Sequence, residues 1–329
     1  MKKILALTLS LLMVLSLTAC GGGSSDASGN QLKIGVMQFG EFTALQNCYD
    51  GFVDGLKEAG YVDGENIAIN LKSAQADTAN CPSIADALIN DKSDLIFAIA
   101  TPSALCVKEK TKDIPVLFSA VTDAVASELI ESNEVPGGNI SGTSDMNPVS
   151  EQIDMIKEVL PEAKTVAVFY CSSESNSKAQ FELAKAQIEK DGMECLEKTI
   201  STIEDAQSVI EPLKGKVDAI YIPTDNTIAD AMTSVASYAN NAGIPTFVGE
   251  PGMCEAGGTF TYGIDYFKLG QQTAKMAIEV LESDNPLETI KNMPVQFQTG
   301  DCLTAMNQAS VDALKLKVPE SIASKAEVF

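Results

Sequence analysis

Residues 92–118 read KSDLIFAIATPSALCVKEKTKDIPVLF, and residues 216–248 read KVDAIYIPTDNTIADAMTSVASYANNAGIPTFV. Both run Lys-x-Asp, an apolar strand, a loop with Thr and Pro, an amphipathic stretch, then Ile-Pro and a second strand. A looser pair precedes each copy. LKIGVMQFGEFTALQNCYDGFVDGLKEAGY at 32–61, followed by ENIAINL, has the same order of strand, polar loop, helix and strand as TVAVFYCSSESNSKAQFELAKAQIEKDGM at 165–193, followed by ECLEKTI. The chain therefore reads as two copies of one α/β lobe, about 125 to 130 residues apart.

Working outward, short apolar runs alternate with longer amphipathic ones, the pattern of parallel sheets wrapped by helices. Strands are predicted at 33–37, 66–71, 94–98, 115–119, 165–170, 194–198, 219–222 and 245–248. Helices are predicted at 44–59, 82–90, 103–110, 148–159, 178–190, 203–213, 227–240 and 268–281. The fold class is α/β: two Rossmann-like lobes with parallel sheets, joined by a hinge of three segments. GNISGTSD at 138–145 leaves the first lobe, TFTYGID at 259–265 returns, the helix at 268–281 packs back on the first lobe, and 293–298 crosses a third time. The expected division is 32–143 plus about 263–290 for the first lobe and 144–262 plus about 291–329 for the second.

Ligands of open α/β sheets bind beyond the carboxyl ends of the strands, and two facing lobes turn those ends into a cleft. Ala100-Thr101-Pro102-Ser103-Ala104 starts a helix there, so its amides and the hydroxyls of Thr101 and Ser103 suit a carboxylate; the same groups also serve as a helix cap. At the equivalent place in the second lobe stand Asp225, an acceptor for an ammonium group, and Asn226, again with capping as the rival role. Ser173, Glu174 and Asn176 add hydroxyl, carboxylate and amide groups, Glu174 being a second ammonium candidate. Gln38, Phe39, Glu41 and Phe42 lie in the first strand-end loop, where the aromatics either stack on a ligand ring or pack beneath the loop. Asp265, where the return linker ends, completes the set.

Composition excludes several classes. Formal net charge is −22 and all 23 basic residues are lysine, so nucleic acid is not an expected partner and the acidic surface reads as a solvated exterior. There is no His, which removes the commonest general base and metal ligand; there is also no GxSxG and no P-loop. No catalytic residue, metal or cofactor is expected. Without Arg, an acidic ligand group must be met by Lys, hydroxyls or backbone amides.

The N-terminus carries an address. Met1-Lys2-Lys3, an apolar run from Ile4 to Leu17, and Leu17-Thr18-Ala19-Cys20 have the form of a lipoprotein export signal over 1–20. Lipidated Cys20 and a flexible polar tether at 21–31 would follow, anchoring the protein to the outside of a bacterial cell membrane through lipid alone. Loss of Lys2 and Lys3 takes the net charge to −24. The other seven cysteines have no CxxC spacing. They fit either one or two disulfides, Cys48–Cys81 or Cys81–Cys106 among them, or a set of small buried apolar residues.

AIATPSA (98–104), FSAVTDAVAS (118–127), PGGNISGTSDMNPV (136–149), YIPTDNTIA (221–229) and TYGIDYFKLG (261–270), in that order, resemble the solute-binding lipoproteins of ABC importers, the tryptophan/tyrosine-binding type. The resemblance runs from Leu32 to about Pro319 and implies a type I periplasmic-binding fold. It also implies capture of a small zwitterion, an aromatic amino acid such as Trp, Tyr or Phe, for delivery to an ABC permease and its ATPase. It places Thr101 and Ser103 with the ligand carboxylate, Thr122 and Asp123 nearby, Glu174 and Asn176 from the second lobe, and Asp225 with the amine. Many relatives read roughly Gln-x-x-x-His-Pro-Ala-Leu where this chain has Gln38-Phe39-Gly40-Glu41-Phe42-Thr43-Ala44-Leu45, so the side-chain end of the site departs from theirs.

Overall fold

The structure is a computed structural model that describes residues 31–298 and 302–329. The expected export signal with Cys20, and the expected tether as far as residue 30, lie outside the described residues. In chain order the elements are β1 (Leu32–Gln38), α1 (Thr43–Glu58), β2 (Ile67–Ser73), α2 (Cys81–Asn90), β3 (Leu95–Ile99), α3 (Thr101–Lys110), β4 (Val116–Ser119), β5 (Ile140–Ser144), α4 (Val149–Val159), β6 (Thr165–Cys171), α5 (Ser175–Lys190), β7 (Glu194–Ile200), α6 (Ala206–Ile210), β8 (Ala219–Ile222), α7 (Asn226–Asp230), α8 (Met232–Ala242), β9 (Thr246–Val248), α9 (Pro251–Glu255), β10 (Phe260–Gly263), α10 (Tyr266–Leu281), α11 (Pro286–Lys291), β11 (Gln296–Phe297), β12 (Leu303–Met306), α12 (Gln308–Leu314), α13 (Glu320–Ala323) and β13 (Glu327–Val328).

The strands form two sheets, ordered β11-β5-β4-β3-β1-β2 and β13-β12-β10-β9-β8-β6-β7. The β2-β1-β3-β4-β5 order of the first recurs as β7-β6-β8-β9-β10 in the second, all paired in parallel, so the internal repeat is a repeat of topology. In each copy the strand order reverses beside the first strand, and the ends of β1 and β3, or of β6 and β8, open a crevice there. Central strands such as β3 (LIFAI) and β8 (AIYI) are buried along their whole length, as a sheet covered by helices on both faces demands. One apolar core surrounds the first sheet, with Phe52 stacked on Phe97 at 4.1 Å, and two cover the second.

Each predicted strand is present, with ends displaced by no more than two residues. Both expected linkers are strands. GNISGTSD contains β5, and TFTYGID contains β10. Strand β5 (ISGTS) is polar yet fully buried because its hydroxyls find partners. Ser141 Oγ donates to the Met293 carbonyl at 2.6 Å, and Thr143 Oγ1 lies 2.8 Å from both Ser119 Oγ and Thr273 Oγ1. Gly142 is required there, since a Cβ would stand 2.0 Å from the Phe118 carbonyl oxygen of β4.

Three further expectations shift. Gln296–Phe297 pair with β5, and Gln272 Nε2 holds that segment through Gln296 Oε1 at 2.9 Å and the Phe297 carbonyl at 3.2 Å. Residues 293–298 thus run with the first sheet, not across to the second, which the described chain rejoins at β12. The helix expected at 203–213 is α6 flanked by 3₁₀ turns, Ile203–Asp205 before it and Glu211–Leu213, with Pro212, after it. That expected at 227–240 is α7 followed by α8, broken at Ala231.

Helix α10 returns to the first lobe and lies against α1 at backbone distance. A Cβ on Gly51 would meet the Phe267 carbonyl oxygen at 1.9 Å, and one on Gly270 the Cys48 carbonyl oxygen at 2.0 Å. Cys48, Cys81, Cys106, Cys171, Cys195 and Cys254 are free thiols, four of them buried. No helix among the described residues is long and apolar enough to cross a membrane.

Candidate functional site

A small cavity of about 20 Å³ lies between the two sheets. Its walls come from the segments that follow strands: Phe42, Ala44 and Leu45 after β1, Ala120 and Thr122 after β4, Asp145 after β5, Asn176 after β6, Thr224 to Asn226 and Ala229 after β8, Glu250 and Met253 after β9, and Tyr266 after β10. A wider groove of about 900 Å³ opens beside it, lined by Phe39, Thr101, Ser173, Glu174 and Asn176 among others. Ala100 and Ala120, ending β3 and β4 at this face, hold φ of 79° and 54°, left-handed values that cost an alanine energy and mark the strand ends as strained.

Three carboxylates line the cavity and no lysine does. Asp145 is buried, with Oδ1 accepting from Thr122 Oγ1 at 3.0 Å and Oδ2 from the Tyr266 hydroxyl at 2.7 Å. Burial pushes this carboxyl above the usual carboxylate range, against the pull of those two hydrogen bonds. Glu250 caps α9, its oxygens accepting from Gly252 N at 2.5 Å and Met253 N at 2.7 Å. Burial raises it to about 7, and the nearby charge of Asp145 adds to the rise.

Asp225 caps α7, with Oδ1 accepting from Ile228 N at 3.0 Å and Oδ2 from Cys171 N and Ser177 Oγ, each at 2.7 Å. Burial, then the charge of Glu174, raise its carboxyl, and the three donors oppose them. Glu174 accepts from Asn226 N, Asn226 Nδ2 and Asn176 Nδ2 on one oxygen and from Thr227 N and Oγ1 on the other. Asn176 Nδ2 also donates to the Thr224 carbonyl at 3.0 Å, but its amide oxygen, buried at the cavity wall, has no partner.

The sequence-derived residues divide accordingly. Phe42, Thr122, Asn176, Asp225 and Asn226 line the cavity; Phe39, Thr101, Ser173, Glu174 and again Asn176 line the outer groove. Five line neither. Gln38 is buried and donates to the Gly40 carbonyl, Glu41 is exposed, and Ser103 is buried within α3. Asp123 holds a turn through Val125 N and Ala126 N, and Asp265 caps α10 while pairing with Lys268 at 3.1 Å. Asp145, Glu250 and Tyr266 escaped the sequence reading, although all three fall in or beside segments it had already marked as strand-end loops or linkers. Their signal was position after a strand, not residue type.

The two lobes touch across this cavity. Thr122 Oγ1 lies 3.4 Å from Thr224 Oγ1, Ser127 Oγ lies 2.9 Å from Ser175 Oγ, and a Cβ on Gly252 would stand 2.8 Å from that of Thr43. A cleft between strand ends, with contacts between lobes across it, is the place where small-molecule sites of such folds are commonly found.

A sequence profile of ABC transporter substrate binding proteins matches residues 33–328. The chain belongs to that family. It is 38% identical over 334 residues to the tyrosine-binding protein of Clostridioides difficile (strain R20291), covering 97% of this chain and 96% of that one. Among solved structures it resembles the ABC domain of Streptococcus pneumonia in complex with L-Trp, with a TM-score of 0.85 at 34% identity, covering 91% of this chain and 99% of the other. It also resembles a ligand-free, open substrate binding protein with adhesive properties from Clostridium difficile, with a TM-score of 0.70 at 39% identity and the same coverages. The substrate-binding chain thus has the type I periplasmic-binding fold. It superposes better on the ligand-bound relative than on the open one despite lower identity to it, in keeping with the contacts between its lobes.

Proposed function

We propose that this protein captures an aromatic amino acid between its lobes and presents it, outside the cytoplasmic membrane, to the permease and ATPase of an ABC importer. The observation that carries the reading is the composition of the cavity. Phe42, Leu45 and Met253 provide apolar surface, Asp145, Asp225 and Glu250 provide negative charge, and no basic group neutralises it. The relatives with tyrosine-binding and L-Trp-bound descriptions support the same ligand class.

In this reading the first lobe comprises 32–143 with about 263–298 and the second 144–262 with about 302–329, and the segments following β5 and β10 flex in the hinge. The export signal and a lipid on Cys20 hold the protein at the membrane, where the tether keeps the cleft at high effective concentration beside its permease. The chain binds its ligand and releases it unchanged.

Titration calorimetry of the mature protein with L-Trp, L-Tyr and L-Phe tests the ligand. Micromolar or tighter binding of at least one, with recovery of unaltered ligand, is the expected result. Saturation at one hundredfold above the dissociation constant also raises stability by about 2.7 kcal/mol, visible as a thermal shift. Absence of binding by all three sinks the aromatic reading and leaves the fold untouched.

A further inference from the structure

The carboxylates of the cavity keep unused hydrogen-bonding capacity. Asp145 meets two hydroxyl donors and Glu250 two amides, so each carboxylate, with about four lone-pair sites, keeps capacity for more. Asp225 already receives three donors. The amide oxygen of Asn176 belongs to a neutral side chain that lines the same cavity, is buried, and has no donor among the described residues. A buried acceptor left alone is costly, so the missing donor belongs to the ligand.

Resting on the amino-acid reading above, we propose that Asp145 and Glu250 form the subsite for the ligand's primary ammonium group, and that this ammonium displaces a proton which the two carboxylates retain in the empty closed site. Asn176 Oδ1 is the neutral acceptor at the same cavity for the ligand's N–H groups. The exchange balances as a carboxyl group losing H⁺ to bulk water while R–NH₃⁺ takes its place; no covalent bond other than O–H breaks.

The surroundings leave the pair little alternative compensation. The titratable groups acting on Asp145 and Glu250 are Tyr266 from α10, Cys48 from α1, and Cys254 and Glu255 from α9; Asp225 shares the cavity wall and Glu174 sits behind it. None is basic. Two buried carboxylates without a countercharge favour retaining a proton, which agrees with the upward displacement of both. Since the chain contains no His, no other side chain with an ordinary pKa exchanges a proton near pH 6.5.

Calorimetry of the mature protein with L-Tyr and L-Trp at pH 6.5, in buffers of differing ionisation enthalpy, reads the exchange directly. The expected result is release of close to one proton per ligand and an affinity that rises up to about tenfold per pH unit between pH 5 and 7. Asp145→Asn and Glu250→Gln each remove most of the release and weaken binding by thirtyfold or more, with circular dichroism checking the fold. 3-(4-Hydroxyphenyl)propanoate, which lacks the amine, binds at least a hundredfold more weakly than L-Tyr and releases no proton. Equal heats in all buffers, or folded variants that keep wild-type affinity and release, overturn the proposal.

If none of the three amino acids binds, the ligand reading fails and the subsite is judged separately. Carboxyl carbon shifts of Asp145 and Glu250 in the empty protein are then followed by NMR from pH 4 to 9. A shared, elevated titration supports the pair, and two ordinary titrations near pH 4 overturn it.

Discussion

The hydroxyl of Ser127, beyond β4 of the first sheet, stands 2.9 Å from that of Ser175, the first residue of α5 beside the second sheet. This bond exists only while the lobes are closed, and neither hydroxyl has another partner described in the structure. Ser127→Ala and Ser175→Ala are therefore expected to weaken ligand affinity. The loss of one neutral hydrogen bond, about 0.5–1.5 kcal/mol, corresponds to a two- to tenfold weaker dissociation constant by calorimetry.

Two glycines separate packing from closure in the same way. Gly51→Ala drives a methyl into the Phe267 carbonyl oxygen, 1.9 Å away, so α1 and α10 must part; unfolding free energy falls by about 1–3 kcal/mol or more. Gly252→Ala meets the Cβ of Thr43 at 2.8 Å across the cleft. Its expected effect is weaker ligand binding and a larger radius of gyration in the ligand-bound sample by small-angle scattering.

Asp225, which the sequence offers as the ammonium partner, spends its oxygens on Ile228 N, Cys171 N and Ser177 Oγ. Asp225→Asn puts an NH₂ where at least one buried donor must be accepted. Stability should fall by about 1–3 kcal/mol in urea titration, with a smaller effect on ligand affinity than Asp145→Asn produces. A variant of full stability that has lost its ligand would return Asp225 to the binding role.

The repeat of β1 to β5 in β6 to β10 was legible because apolar strands and strand-end turns carry strong local signals. Strand β5 was not, since ISGTS has the composition of a linker; its burial depends on Thr273 and Met293, more than a hundred residues distant, to satisfy its hydroxyls. The site divides similarly. Position beyond a strand end led to Phe42, Asn176 and Asp225, and the family resemblance to Thr122, but a helix cap and a ligand-binding group use the same atoms, and only the donors around each carboxylate tell them apart. Asp145 depends on Tyr266 and Thr122, partners from separate stretches of chain, which no local pattern encodes.

The absence of His makes the stability of this protein unusually readable against pH. Ordinary carboxylates finish titrating below about pH 5.5, and the buried thiols Cys48 and Cys254 are pushed upward, out of the neutral range. Between pH 5.5 and 8 the side chains left to ionise are the raised carboxylates, Glu250 at about 7 and Asp225 among them. Because its folded value lies above the unfolded value of about 4.5, its contribution to stability is complete below pH 4.5 and is lost as pH rises through 7. The displacement corresponds to at most about 3 kcal/mol. Asp145 and Asp225, also raised, act with the same sign. The ligand-free protein should thus show a falling urea midpoint from pH 5.5 to 8 at fixed ionic strength, and Glu250→Gln should flatten that slope. A saturating amino acid should flatten it too, since its ammonium supplies the countercharge the ionised cavity lacks. A midpoint that rises or stays level over this range in the ligand-free wild type would mean that these carboxylates are already ionised at pH 5.5.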